Sequence, residues 1–186
     1  MKFDNGTVAG LLLSLGAAQF LLFLSISESL YSGYSISKNA ISDLGVGNTA
    51  LIFNTSIMLM GLLIIIGSYF LVKAKKSRYI SILMGVVGLA AFCVGAFPET
   101  TGWPHIVAAS VAFSIGGIFC VLSYKLVRLP IGYLTGALGI VTLFAVVSYL
   151  VFRQNYGLGF GGLERMMAYP LIISVLLIGA RLAKEG

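Results

Sequence analysis

Six runs of roughly 20 mostly apolar residues follow one another along this chain, each as long as an α-helix must be to cross a hydrocarbon layer about 30 Å thick. They fall near Thr7–Ile26, Ala50–Val72, Tyr79–Phe97, Ile106–Leu126, Ile131–Phe152 and Met166–Leu182. A spanning β-barrel would show strands of about 10 residues alternating polar with apolar, whereas these runs are apolar on all sides. The expected fold is therefore all-α, a polytopic integral membrane bundle of six transmembrane helices. With 59% hydrophobic positions in 186 residues and a mean hydropathy of +1.02, the chain has more apolar surface than one soluble core of this size could bury. The spans take up about two thirds of it, which leaves a single transmembrane domain over 1–186 and no room for a soluble one. The first run is nearer 20 residues than the 7–15 or so of a secretory signal, so it is expected to be retained as a span.

A formal charge of +6 would otherwise invite a nucleic-acid reading, but the cations are sorted by loop rather than gathered in a patch. If the spans alternate, Lys2, Lys73, Lys75, Lys76, Arg78, Lys125, Arg128, Arg181 and Lys184 share one side. The positive-inside rule makes that side cytoplasmic, with both termini inside, in a multi-pass protein of the cell membrane. The other side keeps Lys38, Arg153 and Arg165, four of the six acids (Glu28, Asp43, Glu99, Glu164) and the single histidine. The two cysteines, Cys93 and Cys120, lie at depths that differ by about 15 Å, too far for a disulfide, and are expected to be free.

The loops on the basic side are short, so spans two and three, and four and five, should be antiparallel neighbours. Glycines recur inside the spans at 85, 88, 116, 117, 132, 136 and 139, the small residues that let helix backbones approach closely in lipid. On the opposite side the connections are longer, about 23, 8 and 13 residues, and loops of that size in a compact bundle are more often functional or structured than idle.

Polar residues concentrate on this second side. If residues 37–44 form a short helix, Lys38, Asn39, Ser42 and Asp43 share one face and Ala40, Ile41 and Leu44 the other, making an amphipathic lid started by Ser37 and ended by Gly45. Gln19 and Asn54 lie within spans one and two, where an amide must find a partner in the bundle. The stretch PETTGWPH contributes Glu99 and His105, with Pro104 suited to the first turn of span four. Glu164 and Arg165 open span six.

The segments SISKNAISDLG, FNTSIMLMGLL at 53–63, GAFPETTGWPHIVAA at 95–109 and GGLERMMAYP at 161–170, in that order, resemble a small prokaryotic membrane family catalogued as domain of unknown function 998. The matching positions are Ser42, Asp43, Gly45, Asn54, Gly61, Gly95, Pro98, His105, Glu164 and Arg165. The resemblance implies the six-helix fold and a set of motif positions. It implies no reaction.

Taken alone, the residues support an outward-facing polar pocket that binds a small or lipid-derived ligand at the outer leaflet, with chemical modification as its extension. Asp43, His105 and Glu164 are the candidate acid–base groups; Lys38, Asn39, Ser42, Asn54, Glu99 and Arg165 are the candidate ligand-binding groups, the two cations for an anionic moiety such as a phosphate. A zinc site needs several His or Cys ligands and a haem site needs facing histidines, so one histidine argues against both; a calcium or magnesium ion on the outer carboxylates stays open, and no metal ligand or cofactor is assigned. Membrane lipids and a small-molecule or lipid ligand are the expected partners. The competing readings are a small-solute or ion transporter, which would need ionisable groups near the midplane, and a structural protein whose polar residues simply tie the lid down.

Overall fold

The computed structural model describes residues 3–185, with side chains to residue 184. Its framework is six helices: α1 (Asn5–Leu30), α2 (Ala50–Lys73), α3 (Arg78–Ala96), α4 (Trp103–Leu122), α5 (Ile131–Val147, continued by a π-turn at Ser148–Phe152) and α6 (Gly159–Glu185). All six are long and apolar enough to cross a membrane, and no strand occurs among the described residues. Exposed aromatic side chains collar both ends, Trp103, Tyr149 and Tyr156 at one and Tyr79, Tyr124 and Tyr133 at the other, as expected where amphipathic rings meet the lipid headgroups. The chain is a multi-pass membrane protein.

Each helix packs on its neighbours in sequence, and α6 returns to pack on α1. Within this arrangement α1, α2, α3, α4 and α6 surround a small central cavity, while α5 lies outside it against α4 and α6. Three close crossings are made by glycine facing glycine. A Cβ at Gly10 would fall 2.6 Å from the Gly179 carbonyl oxygen, one at Gly61 would fall 2.6 Å from that of Gly88, and one at Gly139 would fall 2.7 Å from that of Gly117. Such contacts bring α1 to α6, α2 to α3 and α4 to α5 within backbone distance, where dispersion rather than water expulsion supplies the attraction. Gly132 packs on Tyr124 in the same way, whereas Gly136 meets only the Val121 carbonyl at 3.8 Å. Both Cys93 and Cys120 are free.

The helices alternate, so loops 74–77 and 126–130 gather at one end, here the basic end, and loops 31–49, 97–102 and 153–158 at the other, the lid end. Two local features differ from expectation. Helix α6 begins at Gly159, about two turns before Met166, so Glu164 and Arg165 lie in its second turn rather than opening it. Residues 37–44 are not an amphipathic helix. A hydrogen-bonded turn closes at Ser35–Asn39, and a single 3-10 turn follows at Ser42–Gly45. The reason is local competition for backbone donors: Asn39 Oδ1 accepts from the Ser35 N–H at 3.0 Å, and Asp43 Oδ2 accepts from the Ala40 N–H at 3.1 Å.

Candidate functional site

The lid-end loop 31–49 is held on α6 by two adjacent side chains that read its backbone in opposite senses. Glu164 Oε2 accepts from the Ile41 N–H at 2.7 Å. Arg165 Nη1 donates to the carbonyls of Ile36 and Asn39, each at 3.1 Å, and to that of Gly161 at 2.9 Å. Arg165 Nη2 donates to Glu28 Oε1 at 2.7 Å and to the Tyr34 hydroxyl. The loop can come this close because α6 starts with glycines: a Cβ at Gly159 would strike the Ser37 carbonyl, and one at Gly161 that of Asn39. The Gly161 N–H also donates to Ser37 at 3.2 Å. Burial pushes the Tyr34 phenol up to about 12, the neighbouring Arg165 opposing it, so Tyr34 stays a neutral donor and acceptor.

Beneath this clasp lie two cavities that share a wall. The deeper one, about 70 Å³, is apolar, walled by side chains such as Phe20, Phe53, Ile57 and Ala112, and reaches Ile64 and Val175 near mid-bundle. The larger, about 340 Å³, lies between α4, the end of α5 and the start of α6. Ser42, His105, Ala109, Phe113 and Glu164 line both. Ile106, Tyr149, Leu150 and Phe160 on the wall of the larger cavity are also exposed on the outside of the bundle, so it opens sideways on the apolar flank.

His105 is 7% exposed, in the first turn of α4 behind Pro104. Its Nδ1–H donates to the Phe97 carbonyl at 2.9 Å, which leaves Nε2 without a hydrogen bond among the described residues. Glu99 lies on the wall of the larger cavity beside Asp43. Burial, reinforced by the Asp43 carboxyl, pushes the Glu99 carboxyl above the ordinary glutamate range, with His105 and Ser42 opposing.

The sequence-derived candidates thus divide. Ser42, Glu99, His105 and Glu164 line the cavities, and Asp43 stands behind Glu99. Asn39 donates to Asp43 Oδ2 at 2.9 Å, orienting that carboxylate. Asn54 donates to the Gly45 carbonyl at 2.9 Å and lines neither cavity; a Cβ at Gly45 would fall 2.7 Å from Asn54 Oδ1. Lys38 is exposed and Arg165 is buried in the clasp, and neither lines a cavity, so the expected cationic cradle for a phosphate does not form here. The ion pair of the clasp is Arg165–Glu28. Glu28 and Tyr34 were not singled out from the sequence; a lone acid in the last turn of an otherwise uncharged span was the available signal for Glu28, since such a group needs a partner. Among the described residues no three His, Cys, Asp or Glu side chains are grouped to hold a metal ion.

A family model described as protein of unknown function (DUF998) matches residues 14–181. No curated protein and no solved structure matches the chain. The chain belongs to the DUF998 family.

Proposed function

With membership of that family as the premise, we propose that this protein binds an amphiphile which enters the lid-end cavity from the membrane, its polar head at the shared wall and its chain in apolar surroundings. The observation that carries the reading is that wall: Ser42, His105 and Glu164 present polar atoms to two cavities whose remaining surface is largely apolar, one of them open on the lipid-facing flank. A water-soluble ligand would not call for a lateral opening between Ile106 and Leu150. By the distribution of Lys and Arg the basic end is cytoplasmic, which puts the cavity at the level of the outer leaflet of the cell membrane. His105 Nε2 and the Glu164 carboxyl are the groups positioned to exchange a proton with the head. Asp43 and Asn39 set the position of Glu99, and Asn54, Arg165 and Glu28 hold the loop above.

The transporter reading is less favoured by the same geometry. A path onward from the deep cavity would have to pass Leu13, Leu71, Ile178 and Leu182, each 0–1% exposed, towards the basic end. Binding needs no such path.

Ala109 borders both cavities and is the position at which to close them. Native mass spectrometry of the protein extracted in mild detergent should find a retained amphiphile on the wild type and its loss from Ala109→Phe, with the helical circular dichroism unchanged. A wild-type protein that retains nothing, and whose melting temperature no added lipid moves, would refute the proposal.

A further inference from the structure

We propose that the head of the bound amphiphile is cationic, an ammonium or amidinium group, and that the lid-end cavity is built against anionic heads. The inference depends on the binding reading above and adds to it the chemical class of the ligand.

The charges on the cavity walls are one-sided. Glu164 borders both cavities, Glu99 borders the larger and Asp43 stands directly behind Glu99. Against these three carboxyl groups, no lysine or arginine among the described residues reaches either wall. Arg165, next to Glu164 in sequence, points its guanidinium the other way, with Nη1 on three backbone carbonyls and Nη2 on Glu28 and Tyr34. Lys38, in the loop, is exposed. Among the described residues, His105 is the single basic side chain on the walls.

Burial makes this imbalance consequential. The Glu164 carboxyl, half-buried on a wall shared with Phe113 and Met167, is short of both water and a counter-charge on that wall, and in that condition a carboxylate keeps its proton or takes up a cation. Glu99, exposed in its turn, is also held towards the protonated form by partial desolvation and by the neighbouring Asp43 carboxyl. One of the two Glu164 oxygens is fixed by Ile41, and the side chain keeps accessible surface on the cavity. His105, nine-tenths buried with Nε2 unengaged, adds an acceptor at the same wall. An ammonium placed there would find the carboxyl groups and the imidazole nitrogen as acceptors, and its alkyl chain could follow the apolar walls. A phosphate would meet carboxyl groups with no cation to balance it.

The test uses three probes that share one chain: decylammonium, decanol and decyl phosphate, each titrated into the full-length protein in phosphatidylcholine nanodiscs at pH 7.5. Binding is read by native mass spectrometry and by the shift in melting temperature. The expected result is decylammonium tighter than decanol by about tenfold or more and decyl phosphate weakest. That preference should shrink towards parity in Glu164→Gln and in Glu99→Gln, the second variant lying in a surface turn and leaving the Ile41–Glu164 bond intact. Decanol or decyl phosphate binding as tightly as decylammonium overturns the cationic head and leaves the binding reading standing. If none of the three binds, both fall.

Discussion

Replacing Arg165 by methionine should release the 31–49 loop, and its cost can be worked from the clasp. The guanidinium is 6% exposed and its partner Glu28 20% exposed, at a separation of 2.7 Å. Removing one member of a buried ion pair typically costs about 3–5 kcal/mol, because the other charge stays buried without compensation. Two loop carbonyls, at Ile36 and Asn39, and the Tyr34 hydroxyl lose a donor as well. The partial exposure of Glu28 lets water relieve some of this, so we expect a loss of about 3 kcal/mol. Arg165→Lys keeps a charge for Glu28 but cannot span the carbonyls as the planar fork does, and should lose about 1–2 kcal/mol. Arg165→Met combined with Glu28→Met should recover part of the single-mutant loss, since no charge is then left stranded. Unfolding in mild detergent measures the three values, and hydrogen exchange at Ile41 and Gly161 reports the loop directly. If Arg165→Met stays within about 0.5 kcal/mol of the wild type and both amides remain protected, the loop is held by Ile41 and Leu44 in the core, and the clasp argument fails.

Gly61→Leu should destabilise by about 3 kcal/mol or more, because its Cβ has no space beside the Gly88 carbonyl, whereas Gly136→Ala should be close to neutral although Gly136 belongs to a GxxxG pattern; thermal melts of the pair separate packing from motif. For Glu99, the folded-state pKa is raised, so the folded protein binds more protons than the unfolded chain at pH values above the ordinary glutamate range. Stability should therefore fall as pH rises through that window, and Glu99→Gln should flatten the slope in a melting-temperature profile from pH 4 to 8; an unchanged slope would contradict the raised affinity of this carboxyl for its proton.

The six spans were legible because a long apolar run in lipid has to be a helix, and the six runs stand clear of their polar connections. The start of α6 was not. Gly159, Gly161, Glu164 and Arg165 look like loop chemistry in sequence, and they are helical because a loop more than a hundred positions away supplies the carbonyls and N–H groups they need. The 35–45 segment failed for the opposite reason. Its spacing fits an amphipathic helix, but Asn39 and Asp43 take backbone donors at short range and the glycines of α6 accept the resulting bend. The grouping of Ser42, Glu99, His105 and Glu164 could be anticipated, since all lie at one end of the bundle. That Lys38 and Arg165 stand apart from it could not, because which way a side chain turns from the backbone depends on partners that spacing does not reveal.

The crossing of Gly10 with Gly179 joins the first helix to the last, and this sets an order for biogenesis. The α2–α3 and α4–α5 hairpins contain their own glycine contacts and can pair as soon as each has left the ribosome. Closure cannot precede synthesis of the sixth helix, which carries Arg165. Until then the 31–49 segment, made early, is tied to α2 through Asn54 but lacks its Glu164 and Arg165 clasp, and Glu28 waits in the membrane without its partner. A chain stalled before α6 would therefore be an open curtain of five helices with a half-fastened loop, a form that membrane quality control could recognise.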